Sequence, residues 1–180
     1  DRAVLSSVNL DVEKTLYLVL IVIAILTRFW ALGDSGTANA DAVNVYNAFK
    51  AWSASNPADF WLMLGDNAYN TGTDAEYQAA VFNMYPSTLR QTPLWSTIGN
   101  HDTAQSATPS LTLPYFNIFS LPQAAESGGV ASGTEKYYSF NRANVHFVCL
   151  DSMSSGRTTD EAMLTWLAVG PFQSVIVCWL

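Results

Sequence analysis

Three apolar runs in this chain end in the same way. Arg28 to Leu32 (RFWAL) stops at Gly33-Asp34, Phe60 to Leu64 (FWLML) at Gly65-Asp66, and Leu94 to Ile98 at Gly99-Asn100-His101-Asp102. Short, continuous apolar runs closed by turn-forming residues read as buried strands. Strands buried on both faces belong to sheets covered by helices, so the pattern commits the chain to a layered α/β fold. It also places the polar residues. In open α/β sheets, ligands bind beyond the carboxyl ends of the strands. Asp34, Asp66, Asn100 and His101 are therefore expected to converge on one crevice.

The segments between these runs supply the helices. Ala42, Val45, Tyr46, Phe49 and Trp52 recur at helical spacing, predicting an amphipathic helix over Ala38 to Ser53. Thr73 and Glu76 have the spacing of a capping box, and Tyr77, Ala80, Val81, Met84 and Tyr85 give the helix that follows one apolar face. Thr103 to Thr134 is rich in loop residues. Lys136 to Phe140 and Val145 to Leu150 read as two strands joined through NRAN as a hairpin. Asp160 to Ala168 reads as a short helix with Met163, Leu164 and Leu167 inward, and Ser174 to Leu180 (SVIVCWL) as a buried strand.

Composition narrows the classes of function. The chain has 180 residues, a length that suits one domain, and 49% of them are hydrophobic, enough for a sizeable core. Lys and Arg total 8 against 15 Asp and Glu. That balance excludes a basic footprint for nucleic acid and charge-driven docking on anionic lipid. The two histidines, His101 and His146, exclude any site built from three imidazoles of this chain. Cys149 and Cys178 sit in apolar, strand-like runs and read as buried hydrophobes. A disulfide between neighbouring strands is not readable from sequence.

Leu16 to Leu26 (LYLVLIVIAIL) is an apolar run of 11 residues, too short to span a bilayer as a helix. With Lys14 ahead of it, the run fits the core of a secretory signal, which gives a secreted or extracytoplasmic expectation. Its β-branched content fits an extra strand equally well. Residues 1–27 are thus a leader or an added strand, residues 28–180 carry the domain, and any membrane association would run through 16–26.

Each motif alone carries little. GDSG at 33–36 and GDNAY at 65–69 are also plain turn chemistry, whereas a histidine inside GNHD at 99–102 has no packing reason to be there. The ordered series is more specific. Asp34, Asp66 and Asn100 offer hard oxygen donors suited to divalent or trivalent metals, and Tyr69 adds a phenol from the same loop as Asp66. Paired carboxylates also occur in glycoside hydrolysis, but that chemistry leaves Asn100 and His101 without a role.

GDSG, GDNAY and GNHD in this order resemble the calcineurin-like metallophosphoesterases, and Tyr69 points to the purple acid phosphatase branch. YYSF at 137–140 and NVHFVCLDS at 144–152 resemble the strand pair that follows GNHD there. The likeness runs from Arg28 to Leu180. It implies a β-sheet sandwich flanked by helices and hydrolysis of small phosphate esters at a dinuclear metal centre, iron with zinc, manganese or a second iron. Asp34 and Tyr69 would bind the first metal, Asp66 would bridge, and Asn100 would bind the second. His101 would contact the phosphate or the leaving group, oriented by Asp102. The metals would supply the positive charge that an acidic protein needs for an anionic substrate.

The family completes its site with later histidines, one after the next core strand and a pair in a GHxH motif. This sequence shows neither, and SVIVCWL is the strand after which the first would appear. His146 reads as a packed core or edge residue, and Asp151 and Ser152 as strand-end residues. The expectation is a catalytic domain incomplete at its C-terminus, with a truncated or degenerate, non-catalytic family member as the alternative.

Overall fold

The structure is a computed structural model that describes residues 27–105 and 112–170, together with the backbone of 175–178. The run Leu16 to Leu26 lies outside the described residues, and so do the ends of SVIVCWL.

Three parallel strands form the first sheet in the order β1-β2-β3: β1 Phe29–Leu32, β2 Phe60–Met63 and β3 Leu94–Ser96. Their register pairs Leu32 with Met63 and Met63 with Ser96, so the three strands end side by side. The second sheet is mixed. β4 (Tyr138–Arg142) pairs antiparallel with β5 (Val145–Cys149), and β6 (Val175–Cys178) lies parallel to β5. The hairpin turn is tighter than predicted. β4 runs on through Arg142, and Ala143, with φ 52°, makes the reversal with Asn144. Cys149 and Cys178 occupy paired register positions.

The sheets pack face to face through aromatic side chains. The Phe60 ring meets Phe147 at 5.1 Å and Phe140 at 5.8 Å between centroids, and Trp95 stacks on Phe140 at 3.9 Å. Such pairs favour edge-to-face or offset geometry, and each fully buried ring contributes up to about 3 kcal/mol of transfer free energy. Alternation sends Trp61 to the other face of the first sheet, where it packs with Trp30, Tyr46 and Tyr85 under helix α1 (Ala40–Ser53). In the second sheet Val148 turns outward onto Met163 and Trp166 of helix α5 (Ala162–Val169). The result is helix, sheet, sheet, helix: the expected sandwich flanked by helices.

Local chemistry sets the helix ends. Asn39 caps α1 by accepting from the Ala42 N–H at 3.0 Å, two residues later than the periodicity placed the start. Thr73 and Glu76 form the capping box of α2 (Asp74–Tyr77). The segment that follows, Gln78–Phe82, winds as a π-helix rather than continuing regularly; Ala80 and Val81 are buried, as the apolar face predicts, while Phe82 is 41% exposed. Two short helices were not expected: α3 (Pro86–Leu89) and α4 (Pro114–Ile118), each with proline in its first turn. No helix among the described residues is long and apolar enough to cross a membrane.

Candidate metal centre

The loops after β1, β2 and β3 carry the residues the sequence singled out, and the parallel sheet brings them to one end. Asp34 and Asp66 occupy equivalent positions, each following a glycine at a strand end, and both have positive φ, 52° and 51°. Aspartate tolerates this left-handed conformation better than most residues. It turns the chain sharply and lets Asp34 N donate to the Gly65 carbonyl at 3.3 Å and Gly36 N to the Asp66 carbonyl at 3.1 Å. Gly36 is required here: a Cβ would collide with the Asn67-Ala68 backbone.

Tyr69 joins the two carboxylates. Its hydroxyl lies 2.8 Å from Asp34 Oδ1 and 2.9 Å from Asp66 Oδ2. A phenol has one hydrogen, so it serves one of these oxygens at a time. Burial, followed by both carboxylates, pushes the Tyr69 phenol well above its ordinary range. The other oxygen of Asp66, Oδ1, accepts the His101 backbone N–H at 2.8 Å. Gly99 packs so tightly on Asp66 that a side chain there would strike both its amide nitrogen and Oδ1. Asn100 stands exposed between these two residues, and its carbonyl accepts from the Thr103 hydroxyl at 2.9 Å.

His101 and Asp102 do not pair as expected. The His101 ring places Nδ1 2.7 Å from the Asn70 carbonyl and packs 4.2 Å from the Tyr69 ring. Asp102 is fully buried, and its oxygens accept from Asn67 N (3.1 Å), Asn67 Nδ2 (2.9 Å), Gly99 N (2.8 Å) and the Tyr77 hydroxyl (2.5 Å). The orienting contact on His101 is therefore the Asn70 carbonyl. Asp102 instead holds the β2 and β3 loops together, because four donors converge on its carboxylate inside the core. Burial raises the Asp102 pKa to about 6 against the opposing pull of those donors. Burial and the neighbouring Asp102 push the Tyr77 phenol far up, which keeps it a donor.

The sequence profile of calcineurin-like phosphoesterases matches residues 27–174. The chain belongs to this family. No curated protein matches it. The phosphoesterase match spans all three strand-end loops and the hairpin, so the convergence of Asp34, Asp66, Tyr69 and His101 falls within the family domain.

Phosphoesterases of this family work with metal ions, and the donors present suit one. Asp34 and Asp66 each bring one oxygen within hydrogen-bond distance of the Tyr69 hydroxyl, which has one hydrogen to share between them. A cation placed there would relieve the unshared carboxylate and would also reverse the upward push on the phenol. Among the described residues no three His, Cys, Asp or Glu side chains gather to hold a metal. The cluster reaches three donors only by counting the phenol.

Several residues of this candidate site carry no functional signal in the sequence. Asn67 reads as a turn residue and Tyr77 as core, and Asn70 lies just past GDNAY with no reading of its own, because only a folded chain shows where their amides, carbonyl and hydroxyl point. Asp151 is a strand-end residue as expected: it accepts from Met153 N at 2.9 Å, Ser154 N at 2.7 Å, and the hydroxyls of Ser154 and Ser155. His146 lies within β5, its Nδ1 2.6 Å from Asn141 Oδ1 on β4, away from the strand-end loops.

Proposed function

We propose that this phosphoesterase is a metal-dependent hydrolase of small phosphate esters of the purple acid phosphatase type. The observation that carries the reading is the Tyr69 hydroxyl set between Asp34 and Asp66. Asp34 and Tyr69 would hold one metal, Asp66 would be shared with a second, and Asn100 would serve that second metal. Iron with zinc, manganese or a second iron suits this hard-oxygen set. When bound, the metals supply the positive charge that draws a phosphate ester to an acidic chain, polarise it and activate water.

The chain's own residues do the rest. The His101 amide holds Asp66 Oδ1, which leaves Oδ2 on the Tyr69 side for a ligand. With Nδ1 against the Asn70 carbonyl, Nε2 is the His101 nitrogen turned to the substrate, where it contacts the phosphate or the leaving oxygen. The buried Asp102 fixes the loops on which these groups stand.

Hydrolysis of an aryl phosphate, with iron plus zinc or manganese supplied, tests the reading. The expected outcome is metal-dependent turnover that falls at least about 100-fold in Asp66→Ala, or about 2.7 kcal/mol of transition-state stabilisation. Equal rates in the two proteins would sink it.

A further inference from the structure

Glu76 makes more contacts than a helix cap needs. Its Oε2 accepts from Thr73 N and the Thr73 hydroxyl, both at 2.9 Å, which with the return bond from Glu76 N to the Thr73 hydroxyl completes the capping box. The same carboxylate also reaches back beyond the helix. Oε1 accepts from Asn70 N at 2.5 Å, and Oε2 from Thr71 N and the Thr71 hydroxyl at 3.2 Å. One side chain thus gathers the whole turn from Asn70 to Thr73. That turn carries the Asn70 carbonyl, 2.7 Å from His101 Nδ1.

We propose that Glu76 is a positioning residue for His101, acting through the Asn70 carbonyl. A carbonyl oxygen only accepts, so its contact with Nδ1 requires the hydrogen on Nδ1. In the neutral ring the lone pair then lies on Nε2, the nitrogen that faces the substrate in the function proposed above. The Asn70 carbonyl shares one rigid peptide plane with the Thr71 N–H, so the bond from Thr71 N to Glu76 Oε2 sets the direction of that carbonyl, and the bond from Asn70 N holds the plane before it. Glu76 thereby selects both the tautomer and the plane of the imidazole from two bonds away, without touching substrate. The inference deepens the phosphoesterase reading and rests on it for its catalytic meaning.

The chain's two imidazoles make a direct test available. Histidine labelled with 13C and 15N is incorporated into the full chain, and His101→Ala assigns the signals. Spectra are taken at about pH 8.5, above the ordinary imidazole range. Wild type and Thr73→Ala should both show His101 as the Nδ1–H tautomer, because Thr73→Ala weakens the cap and leaves Asn70 in the grip of Glu76. Glu76→Ala should lose that tautomer. Glu76→Asp, which keeps the charge and stays close to Thr73 but is too short for Asn70, should lose it as well, and it covers the case in which Glu76→Ala fails to fold.

In turnover assays Glu76→Asp should lower kcat about 10-fold to 100-fold with KM held within about twofold, as expected for a misplaced catalytic group. Retention of the Nδ1–H tautomer in the Glu76 variants would overturn the proposal, as would its equal loss in Thr73→Ala. The tautomer is read without substrate or added metal. A chain that shows the expected tautomers but no turnover would refute the phosphatase and leave the positioning role standing.

Discussion

The backbone N–H of His101 donates to Asp66 Oδ1 at 2.8 Å. A second bond runs the opposite way: the backbone N–H of Asn67 donates to Asp102 Oδ1 at 3.1 Å. Each loop lends an amide to the other loop's carboxylate, so the turns after β2 and β3 are clasped reciprocally. Charge-assisted bonds of this kind are stronger than neutral ones, and both lie largely out of water. The clasp fixes Asp66, whose other oxygen meets the Tyr69 hydroxyl, and sets His101 beside it.

Gly99 sits inside the clasp, with no room for a methyl group against Asp66. Gly99→Ala should therefore displace the Asp66 carboxylate and abolish metal-dependent turnover, with a stability loss of about 1–3 kcal/mol from overpacking. Urea unfolding and turnover of the same preparation check this. Wild-type turnover in the folded variant would contradict it.

Asp102 makes stability depend on pH in a direction unusual for a carboxylate. Its pKa is raised from 3.8 to about 6. The folded state therefore binds the proton more tightly, and its contribution is fully present below about pH 3.8 and lost as pH rises through about 6. Asp102→Asn should remove this slope. It should also cost about 1–3 kcal/mol, because one amide oxygen replaces two acceptors and an N–H group faces donors. Urea midpoints of both proteins between pH 4 and 7 report the difference. An unchanged slope in the variant would refute the assignment.

Much of the layout was legible because apolar runs and turn residues are local signals. Phe60 to Leu64 followed by Gly65-Asp66 announces a buried strand and a sharp turn whatever the rest of the chain does, and the sheet then sets Asp34 and Asp66 side by side. The capping box of Thr73 and Glu76 was legible for the same reason. The roles of Asp102 and Tyr77 were not, since the bonds that define them join residues 25 and 35 positions apart. Tyr77 looked like core because its ring is core, and only its hydroxyl does polar work. The π-helical turn at Gln78–Phe82 was hidden because its apolar residues also fit a regular helix. Helix α4 was hidden because five residues carry no period.

Glu76 has the opposite pH signature from Asp102. The Thr73 N–H, followed after a smaller burial effect by the Thr73 hydroxyl and the Asn70 and Thr71 amides, draws its pKa from 4.5 down to about 2. Its contribution to stability should be complete above about pH 4.5 and lost as pH falls through about 2. The difference in unfolding free energy between wild type and Glu76→Gln should be constant above about pH 5 and shrink below it. A difference that does not change between pH 5 and 2 would contradict the multiple hydrogen bonds to this carboxylate.

Metal content is the most direct test of the account. Wild type and Asp66→Ala are dialysed side by side against iron plus zinc or manganese, then freed of unbound metal, and the metal per chain is measured by elemental analysis. The account predicts two metals per wild-type chain and loss of both in folded Asp66→Ala, since Asp66 is shared between the positions. Equal metal in the two proteins, or none in the wild type, would contradict it.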